Sequence, residues 1–342
     1  MLIFVAYFEF SNLTIIMQNT TIKRRVIGVD ISNERTSFAI VDVRGNIIAH
    51  SFFPTVDYLD VNSFVSKLTE EIMLLAEANG GYETIRSIGI SAPSASTISG
   101  CIENAANLPW KGVIPLQAMM RDRLGIAVAL GNDAHLSALG EKIYGSAHGM
   151  KNFIVISLGV GLGSCFFSEG HSHEGAHGYA GEFGHTCLID QGRDCGCGRK
   201  GCLEAYVAAA GIFQTAHEVM EESDEPSLMR QAEELTPRII KEFCDQGDAL
   251  AIETYRRTGY LMGIGLANYA AIVNPEAIIF TGGVSHAGHW MFDPLYESFE
   301  SHLFGNMRGK VKILISELND RERDVLGASA LAWEVQEYSL FK

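Results

Sequence analysis

Apolar and β-branched residues gather in short runs early in the chain. Arg25 to Ile31, Thr36 to Val41 and Asn46 to Phe53 are three such runs, separated by turn residues that include Gly45-Asn46. Runs of this length bounded by turn formers predict strands. From Val61 to Ala78 the apolar positions recur at helical spacing and stop before Gly80-Gly81, which predicts a helix. Ile85 to Ile90 and Ile126 to Leu130 read as buried strands, the first running into Ser91-Ala92-Pro93-Ser94 and the second into Gly131-Asn132-Asp133-Ala134. A helix follows over Ala134 to Tyr144. Asp133 sits where strand gives way to helix, a place where an aspartate commonly serves as an N-cap worth about 1 kcal/mol.

Phe153 to Leu158 and Leu162 to Phe167 predict a hairpin around Gly159-Val160-Gly161. Such a turn is either a plain hairpin or a cradle that offers phosphate its backbone N–H groups. Helix begins again over Leu203 to Ala210, and the acidic, proline-bearing stretch Ser223 to Ser227 reads as a surface break. Asp248 to Val273 predicts a long helix whose small residues Gly259, Gly263, Gly265 and Ala267 suit close packing, stopped by Asn274-Pro275-Glu276. Ala277 to Phe280 reads as a buried strand entering Thr281-Gly282-Gly283-Val284. Val311 to Ile315 is a last strand, and Leu326 to Val335 a last, alanine-rich helix.

A length of 342 residues suggests two domains, and an apolar fraction of 47% with eight prolines indicates an ordered globular chain. The formal net charge of −15 argues against a nucleic-acid surface. Met1 to Ile16 is apolar, but it lacks a basic start, carries Glu9, Ser11 and Asn12, and is too short and interrupted to span a membrane. A weak signal peptide and a misplaced start are both compatible with it. The ordinary polar sequence after Met17 favours the second.

One histidine and three cysteines, His185, Cys195, Cys197 and Cys202, are spaced by glycines that let a short loop bring four ligands to one point. One nitrogen and three thiolates make a closed, tetrahedral structural zinc set. The other reading is a disulfide with a spare thiol, or inert thiols. A disulfide framework belongs to small secreted chains, the Cys-x-Cys step is tight for one, and the histidine would be left over. Metal-held thiols among the seven cysteines suggest a reducing cytoplasm. Glu182 and Glu204 bracket the cluster, as a scaffold holding a polar ligand would place them. His171, His173 and His177 lie in what reads as a solvated loop and are given no role.

Gly181-Glu182-Phe183-Gly184-His185 followed by Cys195-Gly196-Cys197-Gly198, then Gly201-Cys202-Leu203-Glu204, resembles the signature of the ROK family (repressors, open reading frames, kinases). The resemblance runs from about Val26 to Trp333. It implies an α/β, two-domain actin-like ATPase (ribonuclease H-like) fold with a zinc-binding loop. Residues 25–133 with 325–340 would form the small domain, 134–324 the large domain with the zinc knot at 182–204, and 1–24 an N-terminal extension. It further implies either an ATP-dependent sugar kinase or a sugar-responsive regulator. Asp133 matches the family's catalytic base, and Asn107, Asn132, Asp133, Glu182, His185 and Glu204 its sugar-binding set. Asp30, Gly159, Gly161, Gly282 and Gly283 match the nucleotide site. The expected ligands are structural zinc, a hexose or N-acetylhexosamine, and ATP with Mg²⁺. A dimer of the chain is expected, with no membrane and no direct nucleic-acid contact.

The sequence departs from family kinases at the phosphates. Their Asp-x-Gly-Gly-Thr is here Asp30-Ile31-Ser32-Asn33-Glu34, their Gly-Thr-Gly-x-Gly-Gly is Gly159-Val160-Gly161-Leu162-Gly163-Ser164, and their Ala-Pro-Gly is Ala92-Pro93-Ser94. A sugar kinase is the expected activity, and a sugar sensor without a DNA-binding head the alternative.

Overall fold

The computed structural model describes residues 23–105, 107–176, 178–319 and 322–335. The choice between Met1 and Met17, residues 1–22 of the expected extension, His177, and residues 336–340 of the expected small domain lie outside them.

Two five-stranded sheets share one plan. In the first, β1 (Arg25–Ile31), β2 (Arg35–Asp42) and β3 (Ile47–Pro54) form an antiparallel meander. Parallel to β1 run β4 (Ile85–Ala92) and then β7 (Ala127–Asn132), giving the order β3-β2-β1-β4-β7. The strands β5 (Ile102–Glu103) and β6 (Val113–Ile114) form a small separate ribbon. In the second sheet, β8 (Phe153–Leu158), β9 (Leu162–Ser168) and β10 (His171–Ser172) make the meander. Then β11 (Ala277–Thr281) and β12 (Lys312–Ile315) run parallel to β8, giving β10-β9-β8-β11-β12. The sequence does not reveal this repeated plan by period.

Helices cover the sheets. α1 (Val61–Ala78) starts on Asp60, whose carboxylate accepts the Ser63 N–H at 2.8 Å. With α2 (Leu116–Leu124), it buries Phe64, Leu68, Ile72 and Met120 against the first sheet. α3 (Asp133–Tyr144) leaves the end of β7, α4 (Glu204–Val207) and α5 (Ala209–Glu222) follow the cysteine loop, and α6 (Pro237–Asp245) precedes α7 (Ala249–Val273). α7 is capped by Asp248, which accepts the Leu250 and Ala251 N–H groups at 3.0 Å.

The small residues on α7 meet α8 (His289–His302). A Cβ on Gly259 would lie 2.2 Å from the Met291 carbonyl oxygen, and one on Gly263 2.6 Å from that of Leu295. Hydrophobic periodicity predicted neither α2, α6 nor α8. Pro294 sits inside α8 and breaks its helical signal, while α6 is short and starts at Pro237. The last helix, α9 (Arg323–Glu334), returns from the second sheet to lie across β1 and β4. It crosses α3 so closely that a Cβ on Gly327 would sit 2.1 Å from the Leu136 carbonyl oxygen. Among the described residues no helix is long and apolar enough to cross a membrane.

Candidate active site

A cleft opens where β1, β7 and the first turns of α3 and α9 face the β8–β9 turn. Two cavities share Asp133 at their junction. One, of about 380 Å³, is lined by residues including Asp30, Ser32, Asn107, Asp133, Ser137, Gly159, Gly161, Glu204, Arg323 and Asp324. The other, of about 280 Å³, is lined by residues including Thr97, Glu103, Asn132, Asp133, His135, Glu174, Tyr179 and Glu182.

Asp133 is not the helix cap that its position suggested. Asn132 takes that role, its Oδ1 accepting from Ala134 N–H at 3.0 Å and His135 N–H at 3.4 Å. Asp133 is the first helical residue, and its own Oδ1 accepts from Ala134 N–H at 2.8 Å. Burial raises its pKa above the usual aspartate range, and the backbone N–H groups of the helix start work against that rise. Asp30, near the end of β1, is pushed up to about 8, first by burial and next by the Asp324 carboxylate.

The cysteine loop closes as its spacing predicted. The ligand atoms of His185, Cys195, Cys197 and Cys202 all lie within 4.8 Å of one another. Cys197 Sγ is 3.7 Å from Cys202 Sγ, and Cys195 Sγ is 3.7 Å from His185 Nδ1. A tetrahedron of thiolates around a metal at about 2.3 Å has edges of about 3.8 Å, so the set fits one ion. Gly201 is needed here: it takes φ +74°, and a Cβ would lie 1.7 Å from the Ile189 carbonyl oxygen. Arg193 fastens the loop to the helices behind it, donating to the carbonyls of Ala205 and Gly211 and pairing with Glu218 at 2.6 Å.

Two acids connect this loop to the cleft. Glu204 Oε2 accepts the Leu162 N–H at 2.8 Å, fixing the β8–β9 turn, while its Oε1 lies 3.8 Å from Cys195 Sγ. Glu182 follows Gly181, whose carbonyl accepts from Ser164 Oγ, and lines the smaller cavity. Phe183 stacks on Tyr269 with ring centroids 4.0 Å apart, seating the turn that ends at His185. Asn107 is presented by a loop anchored through buried Trp110, whose Nε1 donates to the Tyr58 carbonyl at 2.9 Å.

The expected sugar set therefore divides. Asn107, Asp133 and Glu204 line the larger cavity, Asn132, Asp133 and Glu182 line the smaller, and His185 lines neither, turning Nδ1 to Cys195. Of the expected nucleotide set, Asp30, Gly159 and Gly161 line the larger cavity, whereas Gly282 and Gly283 do not. Gly282 instead turns at φ +86° beside the end of β8, where a Cβ would lie 2.5 Å from the Leu158 carbonyl oxygen. The N–H of Gly159 bonds the Gly161 carbonyl at 3.0 Å and so closes the turn itself.

Sequence reasoning missed Ser137, Arg323 and Asp324 in the larger cavity. In the smaller it missed Thr97, His135 and Glu174, where Glu174 accepts from Thr97 Oγ1 at 3.0 Å and lies 3.8 Å from His135 Nδ1. For Ser137 a signal existed, because it stands four residues after Asp133 and so on the same helix face.

Two like-built sheets closing on a cleft, with an acid at a helix start, define a two-domain actin-like ATPase fold. The chain belongs to the ROK family, whose pattern matches residues 26–335. It is 30% identical over 328 residues to a glucokinase of Halalkalibacterium halodurans, spanning 93% of this chain and 98% of that one. It is also 31% identical over 314 residues to a xylose repressor of Caldicellulosiruptor bescii, spanning 90% of this chain and 77% of the repressor. The crystal structure of a ROK family glucokinase from Streptomyces griseus in complex with glucose and AMPPNP superposes with a TM-score of 0.74 at 28% identity, covering 91% of this chain and 100% of that one.

Proposed function

We propose that the protein is an ATP-dependent sugar kinase acting on a hydroxyl of a hexose or an N-acetylhexosamine. The observation that carries this reading is the place of Asp133, which starts α3 at the junction of two polar cavities. A raised pKa makes its carboxylate a stronger base for a sugar hydroxyl than a solvated aspartate would be. Asp133 takes the hydroxyl proton as the oxygen attacks. Asn107, Asn132, Glu182 and Glu204 orient the sugar through its remaining hydroxyls, and such sites reject analogues that lack them.

The cluster is assigned to zinc, which three thiolates and an imidazole suit and which four protein ligands leave without an open position for water. Its role is structural, holding Glu204 and the turn it bonds. The carboxylate oxygens around Asp30 are hard donors that fit Mg²⁺, which supplies neutralisation of phosphate oxygens during transfer. The glucokinase relatives support both substrates.

A sugar sensor is the second reading. It is favoured by the carboxylates facing one another at Asp30, Asp133 and Asp324 and by the likeness to the xylose repressor. Purified protein with ATP, Mg²⁺ and a panel of hexoses and N-acetylhexosamines separates the two, with ADP release and binding heat followed in parallel. Turnover with at least one sugar is the expected result. Tight sugar binding without ADP release rejects the kinase.

A further inference from the structure

Cys187 lies in the cysteine loop but outside the four-ligand set, and it is exposed. Its backbone forms an antiparallel bridge with that of Cys202, which is fully buried. The hydrogen bonds on either side of the bridge fix its register. Leu188 N–H donates to the Gly201 carbonyl at 2.7 Å, and Leu203 N–H donates to the Thr186 carbonyl at 3.0 Å. Both bonds join the neighbours of the two cysteines, so Cys187 and Cys202 are a directly opposed, non-hydrogen-bonded pair. In such a pair the Cα atoms stand about 4.5 Å apart and the side chains leave the same face. A disulfide needs Cα atoms about 4.4–6.8 Å apart. The Cys187 sulfur also lies against the residue before Cys202, since a Cβ on Gly201 would sit 3.4 Å from Cys187 Sγ. The other three thiols of the loop converge with His185. A sulfur bound to a metal has its electron pair engaged, whereas Cys187 has no place in the set and meets solvent. An oxidant therefore reaches Cys187 first.

We propose that Cys187 is an oxidation site whose resolving partner is the zinc ligand Cys202, so that a peroxide releases the metal through a Cys187–Cys202 disulfide. The proposal rests on the zinc assignment and gives the loop a regulatory use. The Cys187 sulfur attacks one peroxide oxygen, the O–O bond breaks, and a sulfenic acid forms with release of water. The Cys202 thiolate then attacks that sulfur, the S–O bond breaks, and the leaving hydroxide takes a proton to become a second water. Together the sulfurs lose the two electrons that the peroxide gains. With Cys202 withdrawn, the closed tetrahedral set is open. Glu204 follows Cys202 closely in the chain and holds the Leu162 N–H at 2.8 Å, so the change reaches the β8–β9 turn of the cleft. Exchange with a thiol reductant, followed by zinc, reverses it.

The test uses zinc-loaded protein, free of sugar and nucleotide, treated with hydrogen peroxide. Zinc release is followed with a chromogenic chelator, and alkylated, unreduced peptides are mapped by mass spectrometry. Wild type should lose its zinc and yield a linked Cys187–Cys202 peptide, and dithiothreitol with added zinc should restore the loaded form. Cys187→Ser changes an exposed residue outside the metal set, so it should fold and take up zinc as wild type does. Under peroxide it should release zinc at least about tenfold more slowly, its facing thiol being gone. The proposal falls if Cys187→Ser releases zinc within about twofold of the wild-type rate. It falls equally if the linked peptide joins Cys197 to Cys202, or if Cys187 ends as an unpaired sulfinic acid. Should the serine variant fail to fold by circular dichroism, Cys187→Ala carries the same comparison. A Cys187–Cys202 peptide from protein that never held zinc keeps the pairing and removes the zinc assignment. Zinc released without that peptide does the reverse.

Discussion

The two walls of the cleft are built on opposite principles. The wall from the second sheet is braced: the cysteine loop sits behind it, Arg193 fastens that loop to α5, and Glu204 reaches forward to fix the β8–β9 turn at 2.8 Å. Glu204 has a defined partner there, and Gly184, Gly201 and Gly282 stand where a Cβ would collide with backbone. The wall from the first sheet gathers like charge. Asp30 and Asp324 face each other there, beside the buried hydroxyl of Ser137. A site that must grip a neutral, hydroxyl-rich ligand needs fixed geometry, which the second-sheet wall supplies. A site that must hold a tetra-anion with its cation needs adjustable charge, which belongs to the first-sheet wall.

The largest effect expected from this comparison is on the braced wall. Cys202 is fully buried within the cluster. Structural zinc contributes on the order of 10 kcal/mol to folding. Cys202→Ala, or exhaustive chelation, should therefore remove the metal, lower the melting temperature steeply and abolish sugar binding in the same step. Freshly purified protein that contains no zinc by elemental analysis, yet binds sugar, would break the account of this wall.

Asp133 stands between the walls and lines both cavities. Asp133→Asn keeps the size of the side chain and an oxygen for the Ala134 N–H, so the fold should hold. Loss of a general base costs about 10²- to 10⁴-fold in rate. The variant should lose turnover by that much and sugar affinity by far less. Because burial raises the pKa of Asp133, the acid limb of kcat/KM should lie above the ordinary aspartate range, with activity falling as pH drops through it. An acid limb at the ordinary value, or a variant that retains wild-type turnover, would assign the proton transfer elsewhere.

Much of the braced wall was legible in the sequence, because its residues are local. His185 to Cys202 carries the cluster in one stretch, and Phe153 to Phe167 carries the hairpin in another. The long helix α7 was legible down to its small residues, since Gly259 and Gly263 recur at helical spacing. Its partner α8 was not, because Pro294 interrupts the pattern inside the helix that packs against those glycines. The first-sheet wall was illegible for a different reason. Asp30 and Asp324 lie at opposite ends of the chain, and nothing local to either says that α9 returns across β1. Ser137 was within reach of the helical period from Asp133, but a serine four residues on carries no chemistry until its burial is known.

Glu204→Gln is a finer probe of the braced wall. Glutamine keeps a carbonyl oxygen for the Leu162 N–H, so the β8–β9 turn should stay in place, while the charge offered to a sugar hydroxyl is lost. A charge-assisted hydrogen bond to a hydroxyl is worth about 1.5–3 kcal/mol, which corresponds to about tenfold or more in affinity. Calorimetry should show that loss with little change in melting temperature. A large drop in stability with unchanged affinity would make Glu204 a brace only.

The smallest effect should come from the residue that most troubled the first wall in sequence. Glu34 stands where family kinases carry a threonine. Pointed at phosphate from 4 Å, it would repel by about 4 kcal/mol at an effective dielectric near 20. The structure turns it elsewhere. Ser32 N–H and Ser32 Oγ both bond the Arg35 carbonyl, at 3.0 and 2.9 Å, closing a tight turn between β1 and β2. Within that turn Ser32 lines the cleft, whereas Glu34 is exposed, lies outside the lining, and gives its carbonyl to Thr55 N–H at 3.0 Å. A solvated carboxylate outside the cleft is screened over roughly 8–10 Å at ordinary ionic strength. Glu34→Thr should therefore change kcat/KM for ATP by no more than about twofold, a free-energy difference below about 0.5 kcal/mol. A tenfold gain would mean that Glu34 swings inward when nucleotide binds. The repulsion on this wall would then belong to the β1–β2 turn rather than to Asp30 and Asp324.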